Sequence, residues 1–209
     1  MSRNLILSAI FALVAGGAQA ATIVNGSFED GTNPGVFTTL GEGSSAITGW
    51  SIYGGGGGGT IDYIGSYWNA SDGNRSIDLN GDGPGASLYT QITDMVVGQM
   101  YRLYFDLSGN TDGGPDLKIT RGGVGENAEI QISSSVTPIP NLTWKTYSLD
   151  FWAAGTTTNL IFTSQVEGPY GPALDNVRIS AIPLPAGAPL LLAGLGALGA
   201  LRRKRRNRA

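Results

Sequence analysis

Apolar and polar residues alternate along this chain in short runs with a period of two, and no stretch between Ala21 and Ala181 sustains the 3.6-residue period of a helix. The pattern is clearest from Met100 to Leu107, where Tyr101, Leu103, Phe105 and Leu107 alternate with Arg102, Tyr104 and Asp106. Such a strand turns one face to a core and the other to water or a ligand. In the run from Trp144 to Trp152, Lys145, Tyr147, Leu149 and Phe151 are expected to make the core face. Further runs span 47–53, 60–64, 75–79, 86–92, 116–120, 128–133, 158–163 and 173–180, separated by Gly, Asn, Asp or Pro. Ten short strands joined by turns predict an all-β, two-sheet β-sandwich.

Both ends break the pattern. Residues 1–20 combine a basic start (Arg3), an apolar run from Leu5 to Val14 and the A-x-A triplet Ala18-Gln19-Ala20, the layout of a secretory signal peptide. This segment is expected to form the signal helix, with the mature chain starting at Ala21. Residues 182–209 hold Pro183-Leu184-Pro185-Ala186, an apolar segment and the block RRKRRNR from Arg202. A helix from Pro189 to Leu201 would be only ~20 Å long, short of a bilayer's ~30 Å core. The arginine block would stay cytoplasmic, which leaves the body outside, in agreement with the signal peptide. One domain is therefore expected over 21–181.

Composition narrows the chemistry. The chain has no cysteine and no histidine, which excludes disulfides, Ser-His and Cys-His catalysis and His-ligated zinc. Between Ala21 and Ala181 lie six basic and 16 acidic residues, a balance of −10. An acidic body argues against nucleic-acid partners and suits cations or simple solubility. The hexaglycine Gly54–Gly59 lies between two expected strands and reads as a flexible hairpin loop. In DLNGDGPG, Asp78, Asn80, Asp82 and Gly83 imitate the start of an EF-hand loop, but Tyr89 stands where the closing acid belongs, and a tight turn is expected.

Pyranose rings lay their apolar faces on aromatic side chains while nearby polar groups bond the hydroxyls. The densest combination of that kind is Tyr63, Tyr67 and Trp68 followed by Asp72, Asn74 and Arg75, with Tyr170 in the later loop VEGPYGP. These seven are the candidate ligand residues. Trp50, Trp144 and Trp152 could belong to the site or the core. A glycosidase-type carboxylate pair would be the route to an enzyme, yet none of the five glutamates is visibly paired, and no catalytic residue is assigned.

Several segments together, IVNGSFEDG, ITGWSIYGGG, TIDYIGSYWNASDGNRSIDLNG, LYTQITDMVVGQMYRLYFDLSGN, WKTYSLDFWAAGTTTNLIFTS and GPALDNVRIS, resemble the bacterial choice-of-anchor C family, related to plant cell-wall proteins with galactose-binding-like domains. The resemblance implies a galactose-binding-like jelly roll, an extracellular address and glycan partners in the cell wall or exopolysaccharide. In jelly rolls of that kind an N-G-x-F-E strand and a D-N-V strand often lie together around a structural Ca2+. The match falls on Asn25, Gly26, Phe28, Glu29 and Asp30 and on Asp175, Asn176 and Val177, making Glu29, Asp30 and Asp175 the candidate metal ligands. The tail resembles the VPLPA variant of PEP-CTERM sorting signals, with Ile182 in place of Val. That resemblance implies an exosortase-type protease partner, cleavage near Pro183 to Ala186, transient membrane anchoring and delivery to the outer surface or matrix of a Gram-negative bacterium. The expected role is non-catalytic carbohydrate binding; the rivals are a purely structural surface protein and a carboxylate-dependent glycan-active enzyme.

Overall fold

In a computed structural model of the chain, the residues described are 20–113, 117–124, 128–133, 139–183, Gly194 and Gly196. They form twelve strands and pack as two antiparallel sheets. The first contains β1 (Thr22–Ile23), β3 (Ser51–Tyr53), β6 (Ser87–Thr93), β8 (Leu117–Val124), β9 (Ala128–Ser133) and β11 (Thr158–Ser164). Its order is β1-β6-β11-β8-β9, with β3 beside β1 on the same edge of β6. The second runs β10-β7-β12-β5-β4-β2, built from β10 (Lys145–Trp152), β7 (Met100–Gly109), β12 (Pro172–Ala181), β5 (Ser76–Asp78), β4 (Ile61–Ile64) and β2 (Phe37–Leu40).

The core lies between the sheets and follows the period-two pattern. Tyr101, Leu103, Phe105 and Leu107 are fully buried, and Tyr147, Leu149 and Phe151 pack against the same cluster from β10. Leu88, Ile92, Leu160 and Phe162 close it from the other sheet. Phe105 and Phe162 meet edge to face across the layers with ring centroids 5.0 Å apart. The two ends of the domain also meet here. The Val177 N–H donates to Gly26 O at 2.8 Å, and a Cβ on Gly26 would stand 1.9 Å from Val177 O, so only glycine admits this approach.

The hexaglycine expectation needs correction. β3 pairs with β6 in the first sheet while β4 pairs with β2 and β5 in the second, so Gly54–Gly59 is a crossover between sheets, not a hairpin. Its residues Gly55, Gly56 and Gly58 have positive φ, and Gly54 N–H donates to Glu42 Oε2 at 3.2 Å. β1 and β2 fall outside the ten expected runs. The signal segment (1–19, including Ala18) and the tail residues Leu184, Pro185 and Ala186 with the expected membrane helix lie outside the described residues; Ala20 and Pro183 are within them. Among the described residues no helix is long and apolar enough to cross a membrane.

Candidate functional site

The segment 65–75 between β4 and β5 lies over the outer face of the second sheet, and its position is set by side chains from both chain ends. Glu29 Oε1 accepts the N–H groups of Asn74 and Arg75 at 2.7 and 2.6 Å. Asp175 Oδ2 accepts those of Ser71 and Asp72 at 2.7 and 2.8 Å. Hydrogen bonds to charged groups contribute about 1.5–3 kcal/mol each, so two carboxylates clamp one loop. The Trp68 indole N–H donates to Ser76 Oγ at 2.7 Å while the ring packs on Ile64 and Ala173. Trp144 adds a bond from its Nε1 to Asn69 O at 2.9 Å.

Two of the aromatic candidates are not stacking platforms. Tyr63 is 1% exposed and Trp68 3%, so neither offers an open face. Tyr63 occupies an inward position of β4, where its hydroxyl donates to Phe28 O at 2.5 Å and accepts from Arg75 Nη1 at 2.8 Å. Arg75 is thereby spent on the Tyr63 hydroxyl and on Gly31 O at 3.2 Å. Asp72 and Asn74 are exposed on the rim of the loop. Trp50 is buried, Trp144 half-buried and Trp152 exposed.

Tyr67 and Tyr170, by contrast, are brought together. With Phe37 from β2 they line a cleft of about 150 Å3, whose polar lining includes Asp62, Asp78, Asp82, Asn110 and Asp112. Tyr67 meets Phe37 edge to face with centroids 5.4 Å apart, and Tyr170 packs on the backbone of Gly113, where a Cβ would come within 2.9 Å of its ring. The Tyr67 hydroxyl donates to the Asp112 carboxylate, which pushes its pKa up to about 12. Asp78 forms the floor: its Oδ1 accepts the N–H groups of Asn80 at 2.9 Å and Gly171 at 3.0 Å, and its Oδ2 accepts from Asn110 Nδ2 at 2.7 Å. Burial nevertheless pushes this carboxyl up to about 7. Asp62, opposite Asp78 in the β4–β5 register, is raised as well, chiefly by burial, against a 2.5 Å hydrogen bond from Thr39 Oγ1.

A larger, polar depression of about 550 Å3 opens on the other side of the loop, lined by Glu29, Asn33, Trp68, Asn69, Asn74 and Arg75 among others. The seven candidate ligand residues therefore divide between two depressions that share Trp68, with Tyr63 in the core and Asp72 on the rim. Phe37, Asp62, Asn110 and Asp112 were missed. The available signal was the placement of Asp62 and Asp78 in IDYI and SID, polar positions flanking inward apolar ones on adjacent strands.

Glu29, Asp30 and Asp175 do not form a common ligand set. Glu29 and Asp175 each turn an oxygen to backbone N–H groups, and Asp30 is exposed with its backbone bonded to the Asn25 side chain. Among the described residues no group of three or more acidic side chains gathers around a single point. Burial pushes the Asp175 carboxyl up to about 7 despite three N–H donors. It stands directly across from Asp106 in the β12–β7 register, and Asp106 Oδ1 has no hydrogen bond and lies 3.9 Å from Arg178 Nη1.

A family described as "Protein of unknown function (DUF642)" matches residues 21–180. Halomucin of Haloquadratum walsbyi is 33% identical over 194 residues, covering 87% of this chain, and the chain spans only 2% of that protein's length. Among solved structures, the CBM22-1 xylan-binding domain of Paenibacillus barcinonensis Xyn10C aligns with 80% of this chain and 99% of its own at 15% identity and a TM-score of 0.50. A family 35 carbohydrate binding module from Clostridium thermocellum aligns with 69% of this chain and 99% of its own, at 11% identity and a TM-score of 0.45. At 15% identity the likeness to the xylan-binding domain is one of fold, and it agrees with the jelly-roll sandwich.

Proposed function

The chain belongs to the DUF642 family, and on that premise we propose that it is an exported, non-catalytic carbohydrate-binding protein of the cell surface or exopolysaccharide matrix. One observation carries the reading: the cleft in which Tyr67, Tyr170 and Phe37 stand beside Asp62, Asp82 and Asp112. Aromatic faces and edges suit the C–H surface of a pyranose ring, and carboxylate oxygens accept from its hydroxyls. About 150 Å3 suits one sugar unit at a chain end or branch, not a long segment buried lengthwise. The xylan-binding neighbour, at a TM-score of 0.50, supports the class of ligand without naming the sugar.

Delivery rests on the chain ends. The signal-like segment exports the domain, the tail holds it briefly in the membrane, and an exosortase-type protease cuts near Pro183 to Ala186. A glycan array probed with the wild type and with Tyr67→Ala/Tyr170→Ala tests the binding. Signals that the double substitution removes are expected; an unbound array, or one indifferent to the substitution, would refute the cleft. Intact mass of the surface-released protein tests sorting, since retention of Arg202 to Arg208 contradicts cleavage.

A further inference from the structure

Acidic side chains are distributed unequally over the two sheets. Strands of the second sheet carry Asp62, Asp78, Asp106, Asp150 and Asp175, all on positions facing away from the core. The adjacent strands β3, β6, β11 and β8 of the first sheet contain no Asp or Glu at all. In a body with a charge balance of −10, these four adjacent strands carry no fixed negative charge. The next carboxylate in register is Glu129 on β9, opposite Arg121.

The outward positions of this face follow from the register. Tyr53 stands opposite Ser87 and Tyr89 opposite Ser51, so the two tyrosines are diagonal neighbours on adjacent strands, within reach of one ligand. Beyond them β11 presents Thr163 opposite Ser87, Ile161 opposite Tyr89 and Asn159 opposite Gln91. Tyr53 is 53% exposed and Tyr89 39%, and neither ring stacks on another aromatic among the described residues. Ser87 and Thr163 bond each other at 2.8 Å, which holds their hydroxyls between the strands. The four strands give a strip on the order of 14 Å wide at ~4.8 Å per strand.

We propose that this face is a second saccharide surface, taking a segment of an uncharged pyranose polymer on Tyr53 and Tyr89 with Gln91 and Asn159 bonding its hydroxyls. Phenol rings with amides and hydroxyls, and no carboxylate on the four strands, complement a neutral polyhydroxylated chain; Arg121, the one outward cation on these strands, stands at the far strand in register with Glu129, and a polycation would find no fixed counter-charge on the four strands. The cleft of Tyr67 and Tyr170 lies on the opposite sheet, so one domain grips two glycan chains on opposite sides and cross-links them. The cross-linking rests on the carbohydrate-binding reading above, whereas the face itself stands on its own residues.

Isothermal titration of the full chain with xylohexaose, cellohexaose and the uncharged fraction of the producing organism's exopolysaccharide tests it, together with the viscosity of that polymer. Two saccharide sites per chain are expected. Tyr53→Ala/Tyr89→Ala should remove one, Tyr67→Ala/Tyr170→Ala the other, and either should abolish the viscosity rise. Both tyrosines of the face are exposed, so an unchanged melting temperature is expected, and Gln91→Ala/Asn159→Ala gives an independent second variant with at least a tenfold loss at the same site. If Tyr53→Ala/Tyr89→Ala and Gln91→Ala/Asn159→Ala keep wild-type stoichiometry and affinity, the face is refuted while the cleft stands. If Tyr67→Ala/Tyr170→Ala is silent and Tyr53→Ala/Tyr89→Ala removes all binding, the cleft fails and the face is upheld without cross-linking. No heat with any of the three probes overturns both. Light scattering that shows Tyr53→Ala/Tyr89→Ala converting a dimer to a monomer, with titration unchanged, would assign the face to a second copy of this chain and overturn the proposal.

Discussion

Replacing Asp78 with Asn should make the protein more stable at neutral pH, an inversion of what removing a well-bonded buried side chain usually does. Asp78 is 1% exposed, accepts three hydrogen bonds, and is still pushed up to about 7 by burial from a usual value of 3.8. A folded-state pKa above the unfolded one means that the native protein binds the proton more tightly. Stability from this group is thus fully present below about pH 3.8 and is lost as pH rises through about 7. At ~1.36 kcal/mol per pH unit the interval corresponds to about 4 kcal/mol, carried as a penalty by the ionised carboxylate above pH 7. Asparagine keeps the oxygen that accepts from Asn80 and Gly171 but turns an NH2 toward Asn110, a mismatch of about 1–2 kcal/mol.

The net expectation for Asp78→Asn is therefore a gain of about 2 kcal/mol at pH 8 and a small loss at pH 4.5, where the wild-type carboxyl is already neutral. Urea denaturation at half-unit steps from pH 4.5 to 8 measures both. The wild type should lose stability across that window, and the variant should lose less by about 3 kcal/mol in total, since only the part of the interval above pH 4.5 is sampled. A wild-type stability that climbs with pH across the window, or a variant whose curve runs parallel to the wild type's, would show that Asp78 is ionised without penalty and would refute the reasoning. Asp175, also pushed up to about 7, contributes to the wild-type slope in the same direction, so the variant's curve should flatten and not become level.

The half-buried Asp62 gives the cleft a pH signature: burial raises its carboxyl, a sugar hydroxyl donating to it favours the ionised form, so binding should release a proton and tighten as pH rises, and affinity falling with pH in titration calorimetry would contradict it. Gly26→Ala should cost more than ~3 kcal/mol or prevent folding, because its Cβ would stand 1.9 Å from Val177 O; thermal melts check it, and near wild-type stability would mean the strand ends separate. Glu29→Gln should lower the melting temperature by several degrees through its weakened bonds to Asn74 and Arg75, while EDTA should leave the wild type unchanged. A fall of several degrees with EDTA would instead show that a cation is gathered at the strand ends.

The architecture was legible because apolar residues alternate along the strands: the inward set of β7 could be read directly from Tyr101, Leu103, Phe105 and Leu107, although burial itself alternates only as far as Phe105. Pairing was not, since alternation gives a strand its faces without naming its neighbour. Gly54–Gly59 looked like a hairpin because the partners of β3 and β4 lie elsewhere in the chain. The site was half legible for a related reason. Local aromatic density marks Tyr63, Tyr67 and Trp68 alike, but β4 continues to Ile64 and turns Tyr63 inward, whereas Tyr67 leaves the strand and reaches Phe37. Asp62, Asn110 and Asp112 come from three separate segments, and only the fold assembles them.

The two motifs at the strand ends also fix the loop that carries one wall of the cleft. Glu29 comes from the N-terminal motif and Asp175 from the C-terminal one, and together they accept four N–H groups from residues 71 to 75. That segment follows directly on Tyr67 and Trp68, and Trp68 is itself fixed to Ser76 and packed on Ala173 of β12. Closure of the sandwich and placement of the Tyr67 wall are consequently one event. A chain whose ends have not met leaves the loop without its acceptors and the cleft without that wall. Loosening of the loop at Glu29 should then weaken saccharide binding at the cleft before it unfolds the core, while the Tyr53 and Tyr89 face, whose strands β3 and β6 make no hydrogen bond to residues 71–75, should keep its ligand. Titration of Glu29→Gln, which loosens the loop at Asn74 and Arg75 and leaves every strand in place, distinguishes the two, and equal loss at both faces would show that the domain closes as a single unit with no separable loop.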